Sequence, residues 1–303
     1  MSGLGGLAGA GLVLTGHLLG QADIRRLVEQ RGIRPTKKLG QHFLHDPNTI
    51  RRIVRTSAIS AGDVVLEVGP GLGSLTLGLL AEGTAVTAVE IDTALAQALP
   101  DTVRRHAPDA ADRLTVVTAD ALQLTDLPDP QPSALVANLP YNVAVPVILH
   151  LLDVVPTLHT GLVMVQSEVA DRLTAPAGTR SYGVPSVKVA WYAMAELAGL
   201  VPRSVFWPVP NVDSKLVRLV RRPAPSLPAE VSRADVFEVV DLAFASRRKT
   251  LRSALAGWAG SPAAAEAILR TANVDPSARG ETLEISDYAR IASAAQDPRP
   301  QAP

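Results

Sequence analysis

The sequence predicts an α/β fold: a mainly parallel sheet with helices on both faces, followed by a small all-α domain. Three observations predict it. Short apolar runs alternate with helical stretches from residue 63 to about residue 170. The first of these runs ends in three closely spaced glycines before a helix. Beyond a proline-rich stretch at 221–230, every remaining signal is helical.

The elements follow in order. Residues 21–31 read as a short helix and 34–44 as a loop. Residues 46–59 form an amphipathic helix: Asp46 is its cap, Pro47 suits the first turn, and Ile50, Ile53 and Val54 share a face. Strands are expected at 63–69, 85–92, 114–120 and 133–139. Helices are expected at 74–83, 93–105 and 143–153, the last with Pro146 early in it. Residues 161–169 start as a strand and pass into a helix. The apolar, β-rich run at 186–202 should pair with 214–221 as an antiparallel edge. Residues 221–230 read as a linker, and helices follow at 234–245, 249–259, 262–272 and 286–295. The expected division is therefore a flexible extension at 1–20, an α/β domain at 21–222 and a helical domain at 223–303 with a disordered tail.

Composition excludes several function classes. At 303 residues and 47% hydrophobic, the chain buries a sizeable core. It has no cysteine, so disulfides, thiolate nucleophiles and cysteine zinc sites are excluded, which fits a reducing cytoplasm. No apolar run is long enough for a membrane span. The glycine-rich residues 1–20 lack the basic start and small-residue cleavage site of a signal peptide. Net charge is zero, but its distribution is uneven: residues 1–60 hold nine Lys and Arg against three acids. Arg247, Arg248, Lys249 and Arg252 form a second basic knot. Two local patches on a neutral chain suit focused contact with a polyanion.

Chemistry concentrates at strand ends, where parallel sheets of this kind bind ligands. In 64–76, an apolar strand runs through Glu67 into Gly69, Gly71 and Gly73. Glycines there permit a sharp turn and close approach to a ligand. Such a turn alone is compatible with a nicotinamide or flavin site, or with no ligand. Glu90 ends the second strand, where ribose hydroxyls are held, and can accept from both at once. Asp92 is better explained as the cap of the next helix. Asp120 ends the third strand and could accept from an adenine amino group. Acids where a pyrophosphate would sit disfavour a dinucleotide and favour a nucleoside with a bulky, non-phosphate substituent. Asn138 ends the fourth strand and is followed by Leu139, Pro140 and Tyr141. A side-chain amide, backbone carbonyls and an aromatic face together can hold an exocyclic amine and stack its ring, as for a flipped base.

The order of motifs is GQHFL (40–44), EVGPGLGSLT (67–76), VEID (89–92), Asp120, NLPYN (138–142), VFWPVPNVDSKLVRL (205–219) and AFASRRKTLRSAL (243–255). It resembles the small-subunit rRNA adenine-N6,N6-dimethyltransferases from about Lys38 to about Leu255, more weakly to Ala289. The resemblance implies a Rossmann-like class I methyltransferase sheet and S-adenosyl-L-methionine as donor. It implies as target two adjacent adenines near the 3′ end of 16S rRNA in the small ribosomal subunit, both dimethylated, and a role in small-subunit biogenesis. It carries donor binding onto His42, Leu44, Gly69, Glu90, Asp120 and Asn138, with Gln41 helping and Glu67 bonding backbone near the donor's amino-acid end. It carries the transfer site onto Asn138, Leu139, Pro140 and Tyr141, with Phe206 sandwiching the adenine opposite Tyr141. It carries RNA binding onto Arg247, Arg248, Lys249 and Arg252.

There are departures. The family often has Asn where this chain has His42, Ile-Ser-Thr/Ser-Pro where this chain has VAVP, and AFNQRR where it has AFASRR. The implied mechanism needs neither metal nor general base: Asn138 and the Leu139 carbonyl accept the amine's hydrogens, and positioning supplies the rest. A cytoplasmic monomer is expected. The rivals are an erythromycin-resistance-type methyltransferase of the large-subunit rRNA, a DNA adenine methyltransferase, and an assembly factor that has lost catalysis. The RRKTLRSAL knot and the length of the helical tail favour the small-subunit enzyme.

Overall fold

The computed structural model describes residues 17–33 and 41–296. Most of the extension expected at 1–20, Arg34, Lys37 and Lys38 of the first basic patch, and the tail at 297–303 lie outside the described residues. Helix α1 (Gln21–Arg31) leads to the two-residue strand β1 (Phe43–Leu44). Helix α2 (Pro47–Ser57) is capped by Asp46, which accepts from Thr49 N at 2.7 Å. The repeating unit then follows: β2 (Val64–Val68), α3 (Ser74–Ala81), β3 (Ala85–Glu90), α4 (Thr93–His106), β4 (Leu114–Thr118) and β5 (Ala134–Asn138). Next come α5 (Ala144–Val154), β6 (Thr160–Gln166) and α6 (Ser167–Leu173). Helix α7 (Val184–Tyr192), β7 (Ala193–Val201), β8 (Phe206–Trp207) and β9 (Ser214–Arg221) close this part of the chain.

Seven of these strands form one sheet in the order β4-β3-β2-β5-β6-β9-β7. The first five in that order run parallel, and β9 is antiparallel to both β6 and β7. This is the expected parallel sheet with an antiparallel edge. The direction of strand order reverses between β2 and β5, and such a reversal opens a crevice at the strands' carboxyl ends.

Two expectations need correction. The run at 186–202 is not all strand: residues 186–192 belong to α7 and only Ala193–Val201 is extended. Gly183 N donates to Ser186 Oγ at 3.0 Å and Pro185 sits in the first turn, so local capping starts a helix in a run whose composition also suits a strand. Secondly, the stretch assigned to a flexible extension reaches too far. Leu18 and Leu19 are buried among the apolar side chains of α1 and α4, because they continue an apolar face that needs covering.

Helices α8 (Arg233–Phe244), α9 (Leu251–Ala254), α10 (Ala256–Ala259), α11 (Pro262–Thr271) and α12 (Ile285–Gln296) make up the rest. They pack through α7 onto one sheet face: Val236, Val240, Tyr288 and Ile291 belong to the same apolar cluster as Val187, Val217 and Leu219. A second cluster, on the other face, joins α1 to α4 with β1 and β8. No helix among the described residues is long and apolar enough to cross a membrane.

Candidate active site

The crevice is a cavity of about 190 Å³ at the carboxyl ends of β2, β3, β4 and β5. The turn after β2 shapes its floor. Gly71 has φ +57°, and a Cβ there would lie 3.1 Å from the Phe43 ring. Gly73 has φ +91°, and a Cβ would lie 2.7 Å from Leu99 Cδ1. Only glycine fits both the backbone and the space. The cavity is lined by all six residues assigned to the donor, namely His42, Leu44, Gly69, Glu90, Asp120 and Asn138, and by Leu139, Pro140 and Tyr141.

The acids are more engaged than their sequence positions suggest. Glu90 Oε2 accepts from Gly71 N and Oε1 from Asp92 N, both at 3.0 Å. The carboxylate keeps acceptor capacity for a ligand. Burial raises the Glu90 carboxyl above its ordinary value, against the pull of the Asp92, Gly71 and Ile91 amides. Asp92 caps α4 and accepts from Gln41 Nε2 at 3.0 Å, tying the β1 loop to the end of β3. Asp120 Oδ1 accepts from Leu122 N at 2.9 Å. Among the described residues Glu67 bonds no backbone, contrary to expectation; it is 1% exposed and accepts from Thr76 Oγ1 at 2.6 Å, because α3 brings that hydroxyl over the strand end. Burial first, and the neighbouring Glu90 carboxylate second, push Glu67 up to about 8. Near neutral pH it is largely protonated and adds little charge to the floor.

The turn after β5 presents its acceptors to the same space. Asn138 Nδ2 donates to the His42 carbonyl at 3.3 Å, and Leu139 N donates to Met164 O at 3.1 Å. The Leu139 carbonyl accepts no hydrogen bond among the described residues. Tyr141 OH and Ser214 Oγ are 3.1 Å apart, which fixes the ring at its far end. Burial raises the Tyr141 phenol above its ordinary value, so it stays protonated near neutral pH.

Phe206 is not where the resemblance puts it. It is 1% exposed, pairs with Leu44 across the β1–β8 ribbon and does not line the cavity. Its ring is core because β8 pairs with β1 and turns it inward. The ring beside Tyr141 is instead His42, with centroids 5.6 Å apart and planes at 27°. His42 Nδ1 also lies 2.7 Å from the Pro208 carbonyl. The basic knot follows α8. All four residues are exposed, but Arg247 donates to Tyr182 O at 2.8 Å and Arg252 pairs with Glu266 at 2.9 Å. The four charges are thus not equally available to RNA.

Ser74 and Ile91 are among the lining residues that escaped sequence reasoning. Ser74 Oγ, at the first residue of α3, is buried on the cavity wall and is the one such side-chain atom without a hydrogen-bond partner among the described residues. Its position just after a glycine turn was a usable signal. Ile91 lines the cavity yet is 52% exposed, offering an apolar face beside Glu90. An orphaned hydroxyl, a carboxylate with spare lone pairs and a glycine floor fit a polar nucleoside with an amino-acid end.

A glycine turn, strand-end acids and an Asn-Leu-Pro-Tyr turn at the switch point of such a sheet define a class I methyltransferase with S-adenosylmethionine as donor. The model of the family described as ribosomal RNA adenine dimethylase matches residues 33–297, and the chain belongs to that family. It is 68% identical over 276 residues to a protein of Thermobifida fusca (strain YX) named ribosomal RNA small subunit methyltransferase A, covering 91% of this chain and 96% of the relative. Among solved structures it is similar to the 23S rRNA methyltransferase ErmE, with TM-score 0.59, 29% identity, and 84% of this chain and all of that one covered. A dimethyladenosine transferase from Plasmodium falciparum shares the fold at TM-score 0.68 and 23% identity, over 82% of this chain and 96% of that one.

Proposed function

We propose that this enzyme transfers methyl groups from S-adenosylmethionine to N6 of two adjacent adenines near the 3′ end of 16S rRNA in the small ribosomal subunit, giving N6,N6-dimethyladenosine. The observation that carries this reading is the Asn138–Tyr141 turn. It sets a side-chain amide, a carbonyl with no internal donor and an aromatic ring at one mouth of the cavity. The near relative named for the small subunit supports that substrate over the 23S rRNA of the more distant ErmE.

When bound, the donor supplies a methyl group on a sulfonium cation, already activated. The residues of this chain then bind and orient. The spare lone pairs of Glu90 suit the ribose hydroxyls, and Ile91 and Asp120 suit the adenine ring and its amine. Ser74 and the Gly69–Gly73 turn suit the amino-acid end. On the RNA side, the Asn138 side-chain oxygen and the Leu139 carbonyl accept the two N6 hydrogens. Two acceptors held this way favour a pyramidal nitrogen, whose lone pair is turned out of the ring and toward the methyl. Tyr141 supplies the stacking surface. Its protonated phenol is not a base, and the displaced proton leaves to water.

In this reading the division at 21–222 and 223–303 separates the transfer machinery from a helical part that carries the RNA-facing knot. The reading includes action in the cytoplasm, where small subunits are assembled, and as a monomer, a state supported by one chain lining both sides of the cleft.

The test uses purified protein, tritiated S-adenosylmethionine and small subunits lacking the two dimethyladenosines, beside large subunits and DNA. The product RNA is digested to nucleosides. Label in N6,N6-dimethyladenosine of the small subunit alone supports the reading. Label only in large-subunit RNA moves it to the resistance-type enzymes.

A further inference from the structure

If Tyr141 is the surface on which a flipped adenine stacks, one face of it already carries a ring. The His42 imidazole lies against the ring, centroids 5.6 Å apart and planes at 27°. Tyr141 is held in place by its bond to Ser214 at 3.1 Å. His42 is held twice more. A carbonyl oxygen can only accept, so His42 Nδ1 carries the hydrogen it shares with Pro208 O at 2.7 Å. Its own carbonyl accepts from Asn138 Nδ2 at 3.3 Å. One residue therefore engages both side chains to which the adenine is assigned, the ring that stacks and the amide that orients. Two rings already in contact leave no room for a third between them.

We propose that the His42 imidazole occupies the stacking place on Tyr141 that the target adenine takes, and that base entry displaces it. This rests on the adenine-methylating reading above. His42 is then a positioning residue on the base side of the cleft, acting as a latch in addition to its place in the donor-side lining. Its release costs a ring contact and the Pro208 bond, so a base that stacks poorly on Tyr141 is kept out.

Two measurements test this. Small subunits lacking dimethyladenosine are titrated against wild type and His42→Ala at saturating donor. Loss of a competing stack should lower KM for the subunit roughly two- to tenfold, with a smaller change in kcat. An unchanged or raised KM overturns the latch. A wild type that labels no small subunit overturns the substrate reading instead.

The second measurement needs no ribosome. His42 and Tyr141 ring protons are followed by NMR in the wild-type protein with S-adenosylhomocysteine as adenosine monophosphate is added. The Tyr141 ring current should shift the His42 signals in the free protein. Adenine should abolish that shift, bringing them to the position seen in Tyr141→Ala. His42 signals that stay while Tyr141 signals move place the base on the other face of the ring and overturn the proposal. So does no movement of either, because adenine then fails to reach Tyr141.

Discussion

The carbonyl of His42 accepts a hydrogen bond from the Asn138 side chain at 3.3 Å, joining the loop before β1 to the end of β5. The two residues lie 96 positions apart in the chain. In the proposed reading, this bond places the amide at the boundary between the donor side and the base side of the cleft. It also means that substitutions at Asn138 act on loop position as well as on chemistry.

Asn138→Ala should lower single-turnover methyl transfer to small subunits by about 10²–10³-fold, the usual cost of one oriented polar contact at a reacting centre. Donor binding, measured by calorimetry with S-adenosylhomocysteine, should weaken much less. Transfer at the wild-type rate would show that the Asn-Leu-Pro-Tyr turn is not the transfer site.

Glu90→Ala should act the other way round. It removes the ligand's acceptor and leaves Gly71 N and Asp92 N without theirs. Loss of these bonds should weaken donor affinity by about 1.5–3 kcal/mol, more than tenfold. Calorimetry is the readout; a variant that binds donor normally but transfers slowly would move Glu90 to the base side.

Glu67 makes stability depend on pH. Its carboxyl rises from 4.5 to about 8 on folding, so between these values the native state binds more protons than the unfolded one. Stability from this group is then fully present below about 4.5 and declines as pH rises toward about 8. Glu67→Gln keeps an acceptor for Thr76 and should remove that decline. Thermal melting of both proteins from pH 5 to pH 8.5 measures it. Parallel curves would mean that Glu67 ionises normally.

Tyr141 and Phe206 should separate cleanly. Phe206→Ala opens a hole in the core beneath the β1–β8 ribbon and should cost about 3–5 kcal/mol of stability in denaturant melts. Tyr141→Ala should cost less stability and most of the transfer rate. Normal stability with lost transfer in Phe206→Ala would restore the sandwich role that the family resemblance implied.

Neutralising Arg248 and Lys249 should weaken small-subunit binding and reduce the slope of log affinity against log salt by roughly one per lost phosphate contact. Arg252→Ala should change the slope less, because Glu266 already engages its charge. Filter binding over a salt series compares them. Equal slopes for all variants would place the RNA elsewhere.

Much of this site was legible before the fold was known. The glycine turn, Glu90, Asp120 and the 138–141 turn are each short local patterns at strand ends, and a parallel sheet gathers strand ends on one edge. Asp46 and Asp92 were readable as caps for the same reason: a cap is set by its own four residues. The run at 186–202 was misread because a short apolar segment suits helix and strand alike until Gly183 and Ser186 close the first turn.

Taken alone, the sequence determined most of the order of elements and the edge of the sheet on which the candidate residues gather, since these follow from local spacing. The tertiary structure decided which ring faces Tyr141, that Phe206 is core, that Glu67 is buried beneath Thr76, and which knot charges have partners in the fold. Those outcomes turn on pairings across long stretches of chain: His42 with Pro208 over 166 positions and Tyr141 with Ser214 over 73. No local pattern encodes such a meeting. It exists only once β1 and β8 have paired and β9 has entered the sheet beside β6.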